Sequence, residues 1–228
     1  MMTKRQTLIS ELQRLALDRA EKLDQLRRRA AQVRAMPQWL WHELLVSFAT
    51  WGNSRGWDGL IGDKENYNAL AFDALATLSA EARAERVLEV CRRAKIRMPD
   101  KKATMLCHNF DWLHARGGPA DVGAQVLAHD SAKAVCAHLE QLAGVGPKYS
   151  RNIMMSIDEP RFRWSIAIDH RIKKILTLLE VSGSYVEQEA FLLEVAREAG
   201  IDGWTLDRLI YWFLEELLET LKGSDAHG

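Results

Sequence analysis

Two residues in this chain have surroundings suited to chemistry: a lysine that follows a glycine turn and an aspartate that follows an apolar run. Lys148 follows Gly144-Val145-Gly146 and opens a predicted helix. The positive end of a helix disfavours an added ammonium, and the neutral amine is the form that acts as a nucleophile. Asp169 follows the apolar run 166–168 and precedes another predicted helix. A carboxylate at this place caps the helix, and it also stabilises a cation that forms beside it.

The segment before Lys148 predicts a tight helical hairpin. A leucine-rich helix ends at Ala143, the glycines of Gly144-Val145-Gly146 allow positive φ angles, and Pro147 suits the first turn of a new helix. Backbone amides at such a turn point outward and can contact a phosphate oxygen closely. That contact fixes position on a nucleic-acid strand without reading its sequence. A plain hairpin, whose glycines only cap the first helix, remains open on this evidence.

Each of these residues also has an ordinary explanation. A lysine at a helix start is commonly a solvated surface residue, and an aspartate before a helix is commonly a cap. Their order along the chain favours chemistry, because Lys148 lies directly behind the turn and Asp169 lies ahead of a basic predicted helix.

Together these residues resemble the helix-hairpin-helix (HhH-GPD) DNA glycosylase superfamily. The matching positions are a leucine-rich helix, the glycine turn, a lysine behind it, an apolar segment ending in aspartate, and a closing helical segment: Leu139, Leu142, Gly144, Val145, Gly146, Lys148, Ile166, Ile168, Asp169 and 203–212. The chain has three widely spaced cysteines, which do not provide the four ligands of an iron–sulfur cluster. Within the family, this absence favours the cluster-free bifunctional 8-oxoguanine DNA glycosylase/AP lyases over endonuclease III and the adenine glycosylases.

The resemblance implies an enzyme of base-excision repair that acts on damaged double-stranded DNA. Lys148 would be the nucleophile that forms a Schiff base, and Asp169 the assisting carboxylate. The implied DNA-binding residues are those of the hairpin and of the helix after Asp169: Gly144, Val145, Gly146, His170, Arg171 and Lys173. Besides the missing cluster cysteines, the chain departs from the family at position 171, because the usual histidine two places after the aspartate is Arg171, with His170 one place earlier. A phosphate contact there passes to Arg171 or is rearranged.

Aromatic residues supply candidates for a base pocket or a wedge, which an enzyme acting on an extruded base requires. Trp51, Asn53 and Trp57 fall in a predicted loop and are the candidates. Asn109 and Asp111, in a predicted mid-chain helix, are further candidates for reading a base edge. Five further tryptophans lie on helical stretches and are predicted to be core: Trp39, Trp41, Trp112, Trp204 and Trp212.

The chemistry requires no cofactor. The resemblance implies a structural monovalent cation under the hairpin carbonyls. No metal site is predicted, because His108, His114 and His129 are too scattered to act as ligands.

The predicted fold class is all-α, since apolar residues recur with a helical period and few segments alternate. The resemblance implies a two-lobed fold with the active site between the lobes. We expect one glycosylase unit over 1–228, built from the ranges 37–130 (a helical lobe), 131–180 (hairpin and catalytic segment), and 1–36 and 181–228 (packing helices). One long amphipathic helix is predicted at 3–33, another helix at 66–78, and a loop at 50–57.

Charge and composition limit the kinds of partner that the chain can have. The chain carries 31 Lys+Arg and 31 Asp+Glu, so its net charge is zero and it lacks an overall basic coat. The charges are nevertheless sorted, with seven basic and three acidic residues between Lys148 and Lys174. Few cysteines predict a cytoplasmic location, nucleoid-associated if the source is bacterial, and the lack of a long apolar run predicts no membrane contact. We also expect a monomer.

Two alternatives to the lyase remain open on the sequence. One is a monofunctional glycosylase for alkylated bases, in which Asp169 directs water and Lys148 only binds phosphate. The other is a non-catalytic HhH DNA-binding module. The pairing of Lys148 with Asp169 favours an enzyme over the module, and Lys148 favours lyase activity over the monofunctional enzyme.

Overall fold

The structure is a computed structural model that describes residues 3–50 and 55–223. Within these residues the chain forms helices and no strand, so the all-α prediction is confirmed. No helix in the described ranges is both long enough and apolar enough to span a bilayer. The helices are α1 (Lys4–Asp18), α2 (Ala20–Arg34), α3 (Trp39–Thr50), α4 (Lys64–Ala69), α5 (Phe72–Ala76), α6 (Ala80–Arg93), α7 (Pro99–His114), α8 (Pro119–Ala128), α9 (Ala132–Leu139), α10 (Pro147–Ser156), α11 (His170–Leu178), α12 (Tyr185–Glu198) and α13 (Gly203–Gly223).

The helices belong to two compact units. The hairpin unit is Val33–Ile153, and the terminal unit combines Met1–Gln32 with Met154–Gly228. Lys148 therefore belongs to the hairpin unit and Asp169 to the terminal unit.

The N-terminal segment of the terminal unit is two helices, so the prediction of one helix over 3–33 is wrong. The backbone leaves the helical region at Arg19, with φ −113° and ψ 16°, and separates α1 from α2. The apolar stripe explains the break, because Leu8, Leu12 and Leu15 are fully buried and the next stripe position is Arg19. The Arg19 guanidinium instead lies 5.0 Å from the ring of Phe213, where α13 itself kinks.

The hairpin unit is built around an aromatic core between α3, α5 and α7. Trp41, Phe72 and Phe110 pack together, with ring centroids 4.5 to 6.2 Å apart. The Trp41 indole donates a hydrogen bond of 2.8 Å to the Leu70 carbonyl. Leu70 directly follows α4 and α5 begins two residues later, so the single helix predicted at 66–78 is two short helices. The indole N–H of Trp41 thus pairs the carbonyl oxygen at the break between the two helices.

A buried lysine holds the end of α3. Lys102 of α7 is fully buried, and its Nζ donates a 2.7 Å hydrogen bond to the Phe48 carbonyl in the last turn of α3. Carbonyls in the last turn of a helix have no partner within the helix, and a lysine is a suitable donor to them. Burial lowers the pKa of Lys102 to about 8, an effect that the neighbouring Cys91 partly offsets.

The lowered pKa of Lys102 predicts a stability that rises with pH. Lys102 has a pKa of about 8 in the folded chain and 10.5 without burial. Between these values the unfolded chain binds more protons, so the free energy of unfolding increases as the pH rises. Relative to Lys102→Met, the wild type should therefore gain stability from about pH 8 to about pH 10.5, measured by urea unfolding. A difference between the two proteins that stays constant over this range would contradict the prediction.

Candidate active site

The turn between α9 and α10 requires glycine at position 144. Gly144 has φ +82°, a conformation that residues with a side chain adopt at a cost. A Cβ added there would lie 3.1 Å from both Met105 Sδ and Phe48 Cζ. Gly146 is different, because a Cβ added there would meet no heavy atom within 4 Å. The backbone at Gly146 therefore has open space beside it, which leaves room for a ligand oxygen to approach.

A side chain of α7 holds the turn in place through hydrogen bonds. The Asn109 amide donates to the Ala143 carbonyl at 3.0 Å and accepts from the Ala143 amide at 2.7 Å. Asn109 has no exposed surface, so its prediction as a reader of base edges is wrong. Its amide instead satisfies the backbone of the residue before Gly144. Asp111, on the same helix, is exposed and accepts a 2.8 Å hydrogen bond from Arg83.

The first turn of α10 presents Lys148. Pro147 opens the helix, as the sequence predicts, and the buried Ser150 hydroxyl donates to the Glu140 carboxylate at 3.0 Å. This bond joins the residue just after α9 to the first turn of α10. Lys148 is half-buried, and its Nζ lies 4.2 Å from the centroid of the Tyr149 ring. The amine thus belongs to a short rigid element that begins directly after the glycine turn.

Asp169 uses its two carboxylate oxygens differently. Oδ1 accepts from the amides of Arg171 at 2.8 Å and Ile172 at 3.1 Å, which confirms the predicted cap of α11. Oδ2 lies 3.6 Å from Arg171 Nη1 and 4.0 Å from His170 Nδ1. The side chain is 19% exposed. One oxygen is therefore occupied by the helix, and the second lies among cationic or titratable groups at the surface.

Sequence reasoning missed an aromatic residue that contacts Arg171. The Arg171 guanidinium lies 4.2 Å from the ring centroid of Tyr211 on α13, and Tyr211 is 39% exposed. Trp212 is 50% exposed, so its prediction as core is wrong. The buried stripe of α13 supplies the missed signal, since positions 211 and 212 fall outside the spacing of Leu206, Leu209, Ile210 and Leu214.

The other predicted residues lie in three places. His170 and Lys173 are exposed on α11, and Trp57 opens a π-helical turn (Trp57–Ile61) rather than lying in a loop. Trp51 and Asn53 lie outside the described residues. Trp39, Trp41 and Trp204 are buried as predicted, and Trp112 is half-buried. The structure thus brings Gly144–Gly146 together with Lys148, and Asp169 together with His170 and Arg171.

One of the histidines that the sequence treated as scattered, His129, lies next to a further histidine. His129 Nε2 and His138 Nδ1 are 2.8 Å apart. Even so, no three His, Cys, Asp or Glu side chains of residues 3–50 and 55–223 group as metal ligands would.

Comparison with solved structures identifies the fold. The 8-oxoguanine DNA glycosylase of Methanocaldococcus jannaschii matches with a TM-score of 0.69 and 17% identity, over 91% of this chain and 93% of that one. The 8-oxoguanine DNA glycosylase of Thermotoga maritima matches with a TM-score of 0.70 and 17% identity, over 92% and 96%. Comparisons with protein-family models and with curated proteins give no match. At this identity the likeness establishes a common fold, and the predicted helical glycosylase fold is confirmed.

The two glycines of the turn should respond differently to substitution by alanine. Gly144→Ala should lower the free energy of unfolding by about 1–3 kcal/mol, because φ is positive and the added methyl is crowded. Gly146→Ala is the matched control and should change it by less than about 0.5 kcal/mol, because the methyl points into open space. Urea unfolding measures both, and equal losses would be inconsistent with the turn described.

Proposed function

We propose that this chain is a base-excision-repair DNA N-glycosylase with AP-lyase activity, and that it removes 8-oxoguanine through Lys148. The observation that carries the proposal is the position of Lys148, in the first turn of the helix directly behind an open glycine turn. The fold shared with two 8-oxoguanine DNA glycosylases over more than nine-tenths of the chain supports it.

The hairpin would hold the DNA backbone next to the lesion. Gly146 leaves space for a phosphate oxygen, and Asn109 and Ser150 keep the turn in one conformation. A contact from backbone amides is independent of sequence, as repair of a lesion in any sequence requires. His170, Arg171 and Lys173, at the start of α11, are further proposed DNA contacts. Trp57 remains a proposed pocket or wedge residue.

The first chemical step would break the bond between base and sugar. The neutral amine of Lys148 attacks C1′ of the extruded nucleotide, and the C1′–N bond breaks. The electron pair of that bond leaves with the base, which takes up a proton, and the attacking nitrogen loses one. Positive charge develops on the sugar during this step, and a carboxylate stabilises it.

Asp169 would supply that carboxylate. Its Oδ1 is held by two amides of α11, so the side chain is fixed and loses little freedom when the substrate binds. Its Oδ2 is the oxygen available to face the sugar. Arg171, at 3.6 Å from Oδ2, is itself held against the Tyr211 ring.

The second step would cut the strand. The C1′–O4′ bond breaks, O4′ takes up a proton, and the nitrogen lone pair completes a protonated Schiff base with Lys148. This imine acidifies C2′, so loss of a C2′ proton expels the 3′ phosphate by cleavage of the C3′–O bond. Water then hydrolyses the imine and releases the lysine.

A monovalent cation under the hairpin is part of the same proposal. The turn carbonyls of Leu142 and Ala143 each accept one hydrogen bond, and a carbonyl oxygen has a second lone pair. Carbonyl oxygens are suitable ligands for a hard cation. Such an ion would stiffen the turn, and no step above depends on it.

Lys148→Gln should abolish covalent trapping on DNA. Wild-type protein incubated with an 8-oxoguanine duplex and borohydride should give a covalent adduct, because borohydride reduces the imine to an amine. Lys148→Gln should give none, and Lys133→Gln, an exposed lysine on α9, should trap like the wild type.

The other outcomes separate the alternatives. Release of 8-oxoguanine or of an alkylated base without any adduct would indicate a monofunctional glycosylase. Binding of the duplex without release or adduct would indicate a non-catalytic module and overturn the proposal.

Asp169→Asn should lower the rate of base release by about 100-fold or more while DNA binding persists. The asparagine oxygen can still accept from the amides that Oδ1 caps, so the fold is retained, but the negative charge is lost. Single-turnover base release and a gel-shift titration measure the two effects. An unchanged rate of release would remove Asp169 from the mechanism.

A further inference from the structure

The residues that lead into Asp169 form a buried segment without regular structure. Residues 165–168 lie between a 3-10 turn (Pro160–Phe162) and α11, and none of the four is more than 9% exposed. Buried backbone groups have to be paired, and this segment belongs to neither a helix nor a strand. Its partners must therefore come from elsewhere.

Three side chains of α12 and α13 provide those partners. The Ile166 amide donates to Glu189 Oε1 at 3.0 Å, and the Ala167 amide donates to Asp207 Oδ1 at 3.3 Å. The Tyr185 hydroxyl donates to the Ile166 carbonyl at 2.6 Å and accepts from the Ile168 amide at 3.3 Å. Three consecutive amides are thus paired with side chains, as a neighbouring strand would pair them in a sheet.

The placement of the three side chains makes this a rigid support. Tyr185 and Glu189 are one helical turn apart on α12, so they lie on the same face. Asp207 is 6% exposed in the first part of α13, and its Oδ2 lies 3.4 Å from Arg208 Nη1. The start of α13 also approaches the segment closely, because a Cβ on Gly203 would lie 3.1 Å from the Ser165 carbonyl oxygen.

We propose that Tyr185, Glu189 and Asp207 are positioning residues that set the location of the Asp169 carboxylate. This inference rests on the proposed function, in which Asp169 assists base release. The cap of α11 fixes Asp169 on its C-terminal side, and the three side chains fix the residues on its N-terminal side. A displacement of a catalytic group by about 1 Å can cost about 100-fold in rate, so this support has a kinetic effect.

The two proposed steps distinguish a displaced Asp169 from a general loss of stability, because only base release requires the Asp169 carboxylate. Base release requires the Asp169 carboxylate, whereas an abasic site already presents an aldehyde that condenses with Lys148 without breaking a base–sugar bond. A variant that displaces Asp169 should therefore lose base release and keep borohydride trapping on abasic DNA. A variant that merely loosens the fold should lose both activities, and the loss should grow with the decrease in its melting temperature.

Tyr185→Phe is the test variant, because it removes the hydroxyl and keeps the ring. We expect single-turnover release of 8-oxoguanine to fall about tenfold, a partial loss on the scale of a displaced catalytic group. Trapping on an abasic duplex should stay near the wild-type level. Tyr67→Phe is the matched control, since it removes a half-buried hydroxyl that lies 2.7 Å from His42 Nδ1 in the hairpin unit. It should leave both activities unchanged.

A second pair of variants covers the case in which Tyr185→Phe folds poorly. Glu189→Gln keeps an oxygen that can accept from the Ile166 amide and should retain base release, whereas Glu189→Ala should lose it about tenfold. The double variant Tyr185→Phe with Asp169→Asn should release base no more slowly than Asp169→Asn alone, because the hydroxyl acts through the carboxylate.

Several results would overturn the inference. They are base release by Tyr185→Phe and Glu189→Ala at the wild-type rate, a parallel loss of base release and abasic trapping, and additive losses in the double variant. A wild-type protein that neither releases 8-oxoguanine nor forms an adduct would instead overturn the proposed function and the inference with it.

Discussion

A buried backbone amide or carbonyl that no helix satisfies must find another partner, and at several non-helical points of this chain that partner is a side chain. Asn109 pairs both backbone groups of Ala143 at the hairpin. Trp41 donates a hydrogen bond to the Leu70 carbonyl between α4 and α5, and Trp204 donates one to the Met155 carbonyl near the end of α10. In a chain whose described residues form no strand, long-range side chains do what sheet partners do in other folds.

The two candidate catalytic residues lie next to segments of this kind. Lys148 follows a turn that Asn109 holds, and Asp169 follows a segment held from α12 and α13. In each case a helix begins next to the functional residue, one residue before Lys148 and one residue after Asp169, and fixes it from the other side. The functional groups are therefore placed by a helix start on one side and a supported irregular segment on the other, which restrains them more than a loop would.

The sequence predicted the features that depend on neighbours along the chain. The glycine turn, Pro147 at the start of α10 and the cap by Asp169 involve contacts two to four residues long, and local residue types determine them. The features that it missed depend on distant partners. Asn109 meets Ala143 across 34 residues, and Asp207 meets Ala167 across 40. The break at Arg19 and the exposed Trp212 are different, because Arg19 interrupts the apolar stripe of α1 and Trp212 falls outside that of α13, so the sequence carries a signal for both.

The support of residues 166–168 has a consequence for how this sequence can diverge. Hydrogen bonds to main-chain groups depend on the path of the backbone, so they place no demand on the identity of the side chains at 166–168 beyond apolar character and fit. The identities that matter are those of the tyrosine, glutamate and aspartate on two later helices. Substitutions can thus accumulate in the segment next to Asp169 while its shape persists. Related sequences should therefore retain residues of α12 and α13 more strictly than residues 166–168.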